Sequence, residues 1–287
     1  MTRAALLIAA AALAGPAALA ETRAYDLSGF DRLSVSRAID VEFSQGSAFS
    51  VEVEEEDGDF SGIALSVEDG ALRVTRPDAA VGRRNSTSIE HRFGQRVVKI
   101  NGKIVPNYVV RVTAPSLAGL TASSSARIRA DGVDADLLSA KASSSGDIEL
   151  SGACRSLIVQ ASSSGDVNAS GLVCGAIEAD AGSSGDIRLM ADGGDVSVKA
   201  ASSSDVVLAG LCGRLYVTAS SSADVKADDM SCATSMVRAS SSADVSVRVS
   251  EAVDAKASSS ADVDVYGAPA DVDIDENSGG DVNMKRG

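Results

Sequence analysis

From residue 127 onward, apolar and polar positions alternate in short stripes, and the stripes return at a fixed interval. Each Ser-rich cluster is followed by an anchor residue: Arg127, Asp147, Asp166, Asp186, Asp205, Asp224, Asp244, Asp262 and Asp281, spaced 18 to 20 residues apart. The next position is β-branched every time, from Ile128 and Ile148 to Val263 and Val282, and two residues further on stand Ala130, Leu150, Ala169, Leu189 and their equivalents. A second alternating stripe precedes each anchor by nine, seven and five residues, as in Leu157, Val159 and Ala161 or Leu215, Val217 and Ala219. A period of two is the mark of strands with one buried face. No 3.6-residue period occurs, and Gly or Asp-Gly pairs separate the stripes, so the repeat has no place for helices.

A unit of about 19 residues with two or three short strands cannot bury its apolar face alone, but stacked units can. The pattern therefore predicts an all-β fold, a single-chain parallel β-solenoid of about nine 19–20-residue turns over residues 116–287. At about 4.8 Å per turn the rod is roughly 40 Å long. A β-sandwich also has many short strands, but does not hold one residue class at one phase for nine cycles.

Residues 21–115 lack the strict repeat yet read as strands, as in "RLSVSRAIDVEFSQG" and "YVVRVTAP", with turns at Asp57-Gly58 and Asp69-Gly70. This N-terminal β region is expected to cap one end of the solenoid, whose open edge would otherwise pair with another chain. At the other end the chain closes with "NMKRG". That edge is either blunted by Lys285 and Arg286 or used for association into a homo-oligomer. Residues 1–20 read as a signal peptide, with Arg3, a short apolar run and the small-residue ending Ala18-Leu19-Ala20. The mature protein is thus expected to be exported, periplasmic or secreted, with no transmembrane span.

Aromatic residues make up 3% of the chain and tryptophan is absent, so the core must be narrow and filled by Ala, Val, Ile and Leu. A net charge of −14 argues against nucleic acid or an anionic membrane as partner. The four cysteines, Cys154, Cys174, Cys212 and Cys232, each fall 12 residues before the next anchor, in one column of the solenoid. Adjacent turns lie within disulfide reach and turns two apart do not, which favours Cys154–Cys174 and Cys212–Cys232. Each bridge would contribute roughly 3 kcal/mol. A ladder of free buried thiols is the alternative.

Eight stacked carboxylates, Asp147, Asp166, Asp186, Asp205, Asp224, Asp244, Asp262 and Asp281, would repel by roughly 0.8 kcal/mol per adjacent pair even in water. Corner hydrogen bonds to backbone N–H groups are one remedy. A Ca²⁺ column is another, and Ca²⁺ is the one cofactor the sequence suggests. No metal site and no catalytic residue is assigned. His91 is the only histidine and lies outside the repeat, so a Ser-His-Asp triad is a poor fit. The irregular stretch "PDAAVGRRNSTSIEHRFGQRVVKINGK" gathers Arg83, Arg84, Arg92, Arg96, Lys99 and Lys103 around His91. In an acidic protein it is the candidate contact surface for an anionic envelope glycan or lipid headgroup; a solvated insertion loop is the alternative.

Taken together, "FDRLSVSRAIDVEFSQG", "YVVRVTAPSLAGLTASSSARI" and the repeated "SSSGDI" or "SSSADV" resemble the bacterial head GIN domain family, whose members are labelled autotransporter adhesins. The resemblance runs from about Tyr25 to Gly287. It implies an exported right-handed β-solenoid to which no enzymatic activity is attached. Nothing after the solenoid resembles a membrane β-barrel, which departs from an autotransporter. The leading expectation is a non-enzymatic structural or adhesive protein contacting an envelope or surface component. A self-assembling envelope protein stacking through its C-terminal edge and a carbohydrate-active β-helix enzyme are the alternatives.

Overall fold

The computed structural model describes residues 20–78, 86–92 and 95–285; the expected signal peptide, apart from Ala20, lies outside them. Successive coils are built from the strands Arg127–Ser143, Asp147–Ser162, Asp166–Gly182, Asp205–Ser220, Asp224–Ser240 and Asp244–Ser258, all paired in parallel with their neighbours in the stack. Equivalent residues of the repeat face each other. Asp147 pairs with Asp166, Ile148 with Val167, Cys154 with Cys174 and Leu157 with Ile177. The fold is the parallel β-solenoid that the periodicity predicts.

Most coils are one long bent strand rather than two or three separate short ones. The bend falls where the register slips, for example between Glu149 and Ser151 and between Val207 and Ala209. A bulge turns the chain there while hydrogen bonding continues on either side. The strand breaks fully at Gly193-Gly194, between Ile187–Asp192 and Val196–Ala201, and at Ala268-Pro269-Ala270, between Asp262–Gly267 and Asp271–Asn277. Proline cannot donate to the ladder, which accounts for the second break.

Inward positions such as Ile148, Leu157 and Val159 are buried and stack on their equivalents in the next coil. A continuous column of buried alanines, from Ala142 and Ala161 through Ala181 and Ala200 to Ala257, lets the walls approach closely beside the Ser-rich corner. This is the narrow interior expected of a chain with so few aromatic residues.

The N-terminal region is woven into the solenoid. Asp40–Gln45 pairs in parallel with the start of Arg127–Ser143, placing Asp40 opposite Arg127, while Arg32–Ser36 pairs with Gly119–Ser123. Residues 32–45 therefore form a coil with its own anchor, Asp40. On its far side lie Ala71–Thr75 and Val109–Ala114, so a later stretch of chain stacks outside an earlier one. Antiparallel strands Glu21–Tyr25, Ser50–Glu55 and Ala64–Glu68 extend the two walls beyond that. The expected boundary near residue 115 thus does not interrupt the sheets. Three further strands, Thr87–Arg92, Gln95–Ile100 and Lys103–Val105, make a separate antiparallel sheet.

Candidate functional site

The corner that carries the repeat's signature is a ridge of serines and aspartates. In eight consecutive turns two adjacent serines, from Ser124-Ser125 and Ser144-Ser145 to Ser259-Ser260, have φ between 51° and 62°. Left-handed backbone is costly for residues with a Cβ, and such turns usually use Asn or Gly. Hydrogen bonds hold these turns from two sides. Within a turn, the Gly146 N–H donates to Ser143 O at 3.0 Å. Between turns, the Ser125, Ser145 and Ser164 N–H groups donate to Ser144, Ser163 and Ser183 carbonyls at 3.1 to 3.2 Å. Strain of this kind persists where the surroundings over-determine it.

From Arg127 onward the residue before each anchor is buried and small, because the chain crosses the preceding coil there. A Cβ on Gly146 would sit 2.5 Å from Ala122 O. Ser204 takes this place in its coil, fully buried, donating to Ala181 O and accepting from the Ala201 N–H, both at 3.2 Å.

Beside the serines the anchor carboxylates form the row that the repeat predicts. Asp166 Oδ1 accepts the Asp186 N–H and Asp186 Oδ1 accepts the Asp205 N–H, both at 3.1 Å. Arg127 reaches Asp147 at 3.6 Å. Burial pushes the Asp166 carboxyl above its ordinary range, aided by Asp186 and Asp147 and opposed by its hydrogen bond from Asp186. Asp244 is raised too, first by burial and then by Asp224, Asp262 and Asp264. Among the described residues no group of three or more His, Cys, Asp or Glu side chains is arranged to hold a metal ion.

The basic insertion meets this ridge at its N-terminal end. Arg96 Nη1 pairs with Asp40 Oδ2 at 2.9 Å, and the Asn107 side chain donates to Arg96 O at 2.5 Å. Burial raises the Asp40 carboxyl in spite of Arg96 and Arg127, and lowers the Arg96 guanidinium in spite of Asp40. Lys99 is bound to Glu90 across the hairpin, and Lys103 is exposed on the third strand. His91 and Arg92 lie on the first strand, with backbones opposite Arg96 and Gln95. Arg83 and Arg84 lie outside the described residues. Below the insertion, the Arg76 guanidinium is buried over the Tyr108 ring, 4.9 Å from its centroid, and donates to the Arg37 and Pro106 carbonyls. Two of the expected contact cations, Arg96 and Lys99, are therefore engaged inside the protein.

The cysteine column lies at a different corner. Cys154–Cys174 and Cys212–Cys232 are disulfides with Cα separations of 4.6 and 4.5 Å, each joining neighbouring turns. Asp40 was the anchor the repeat count missed. "SRAIDVEF" carries the same anchor, β-branched and apolar positions, but far from the next anchor and with Arg37-Ala38 in place of a serine pair. Both of those residues also have positive φ.

A family model described as "Putative auto-transporter adhesin, head GIN domain" matches residues 29–193 and 174–269. The chain belongs to the head GIN domain family. Three crystal structures are similar to this head GIN protein. A "putative adhesin" from Parabacteroides merdae has a TM-score of 0.65 at 14% identity, with 92% of this chain and 95% of that one covered. A "putative lipid binding protein" from Parabacteroides distasonis has a TM-score of 0.61 at 18% identity, covering 93% and 97%. A second P. distasonis structure, a "putative adhesin", has a TM-score of 0.57 at 16% identity, covering 91% and 95%. At these identities the likeness is one of fold. No curated protein matches the chain in sequence.

Proposed function

We propose that this head GIN protein is an exported, non-enzymatic adhesin-like module that contacts an envelope or cell-surface component, with glycan the favoured class. One observation carries the reading: from Asp147 to Asp281 the coils stack in parallel and carry a repeated Ser/Asp ridge along one corner. Such a surface suits repeated shallow contacts. The disulfides support a place outside the reducing cytoplasm, periplasmic or secreted. No helix among the described residues is long and apolar enough to cross a membrane. The adhesin descriptions of two structural neighbours agree with the reading.

The test is co-sedimentation of the mature chain with isolated envelope fractions before and after enzymatic removal of polysaccharide. Retention that depends on polysaccharide is the expected result, and no retention in any fraction overturns the reading. We assign the anionic contact to the basic insertion, through Arg83, Arg84, Arg92 and Lys103, with His91 in the same stretch of sequence. Neutralising those four cations is expected to weaken retention on acidic polysaccharide.

A second reading, homo-oligomeric stacking through the C-terminal edge, is favoured by Val272, Ile274 and Met284. They continue the inward columns of Val253, Ala255 and Val265 yet are 43%, 38% and 45% exposed. Sedimentation velocity across a hundredfold concentration range checks it. A monomer throughout excludes stacking.

A further inference from the structure

Two aromatic side chains are exposed among the described residues, Phe49 and Tyr216. The Phe49 ring rests against Phe30 with centroids 5.0 Å apart, whereas Tyr216 stands on the outer wall of the coils, 41% exposed. Its row across the strands runs Ser197, Tyr216, Met236, Asp254, Asp273. Tyr216 and Met236, itself 39% exposed, thus form a contiguous apolar surface between Ser197 and Asp254. Arg214 lies two residues before Tyr216 on the same strand, and Asp195 grips its guanidinium through three contacts of 2.5 to 3.2 Å.

The parallel row runs Arg214, Thr234, Ala252, Asp271. Thr234 and Ala252 are short, so a groove of about 320 Å³ opens between Arg214 and Tyr216 on one side and Asp271 and Asp273 on the other. Three strand spacings make it about 14 Å wide. A cleft with an aromatic side chain on its wall and a few convergent polar groups is the usual form of a small-ligand site. Its polar groups select the ligand. The Arg214 charge is offset by Asp195, and Asp254 pairs with Arg238 at 3.1 Å, which leaves Asp271 and Asp273 as exposed acceptors. Carboxylates accept hydrogen bonds from hydroxyls and repel anions.

We infer that this groove binds a short neutral oligosaccharide, with Tyr216 and Met236 stacking on the C–H face of a pyranose ring and Asp271 and Asp273 accepting its hydroxyls. The inference rests on the adhesive reading above and names the ligand class and the residues.

Calorimetric titration of the mature chain with cellotriose, maltotriose, triacetylchitotriose and trigalacturonate tests it. At least one neutral trisaccharide is expected to bind with Kd on the order of 1 mM or tighter. Tyr216→Ala should weaken that binding about tenfold or more, and the double variant Asp271→Asn/Asp273→Asn several-fold. Trigalacturonate should not bind at this site. Unchanged thermal melting of these surface variants shows that the fold is intact. Absence of binding by every neutral trisaccharide overturns the proposal, as does binding indifferent to Tyr216→Ala or shared equally by trigalacturonate. Envelope co-sedimentation of wild type and Tyr216→Ala separates the two readings. Equal retention without trisaccharide binding removes the groove and leaves adhesion standing, whereas Tyr216-dependent trisaccharide binding without envelope retention does the reverse.

Discussion

Asp244 lies in a row with Asp224 and Asp262, near Asp264, and its carboxyl is held above the ordinary value of 3.8 by burial and by those charges. A raised folded-state pKa means that the fold binds the proton more readily than the unfolded chain does. Stability therefore falls as pH rises from about 4 through the folded value. Asp244→Asn should stabilise the protein at pH 7 by a few tenths of a kcal/mol after solvent screening. The gain should vanish near pH 3, where the wild-type carboxyl is protonated; urea denaturation at the two pH values checks the sign. Ser235 presents a different residue-scale cost. It is buried in the inward row between Leu215 and Val253, and its hydroxyl has no hydrogen-bond partner. Ser235→Val fills that row and removes a desolvated hydroxyl, with an expected gain of about 1 kcal/mol. A lower melting temperature would refute this account. The alternation assigned Ser235 to an inward position, but an orphaned hydroxyl depends on what surrounds it and cannot be read from the chain.

At the scale of single elements, alternation was sufficient to place the strands and their faces. Ile148, Leu150, Leu157 and Val159 are buried where the period of two puts them. Strand length was not legible, because a bulge continues hydrogen bonding around a corner at which side-chain alternation slips. The serine pairs read as turns, but their left-handed backbone did not show, since Asn and Gly are its usual signals. Gly210 illustrates a corner that tolerates no side chain. Its φ is +103°, and a Cβ would lie 2.2 Å from Ala191 O in the adjoining coil. Gly210→Ala should cost about 2 kcal/mol or more, through strain and a backbone clash together. Thermal unfolding of this variant beside Gly193→Ala is informative. Gly193 also has positive φ but nothing within 4 Å of its Cβ site, so its loss should be smaller.

Across the whole molecule, the disulfides staple turns that already stack, so they act on the unfolded chain more than on the native contacts. Replacing Cys154 and Cys174 together by alanine should lower stability by about 3 kcal/mol while the solenoid persists; far-ultraviolet circular dichroism and urea titration measure the two effects separately. Repetition made strand register, the Asp row and the cysteine pairing readable from the chain alone. Each is a statement about equal spacing along the sequence, and stacking turns equal spacing into contact. The placement of Ala71–Thr75 and Val109–Ala114 outside the coil of residues 32–45 was decided only in three dimensions. Pairing between distant, unequally spaced strands leaves no period to read. The same reason hid the capping of Asp40 by Arg96 and the pairing of Arg214 with Asp195 beside Tyr216. Those contacts depend on which side chains converge in space after the coils have closed.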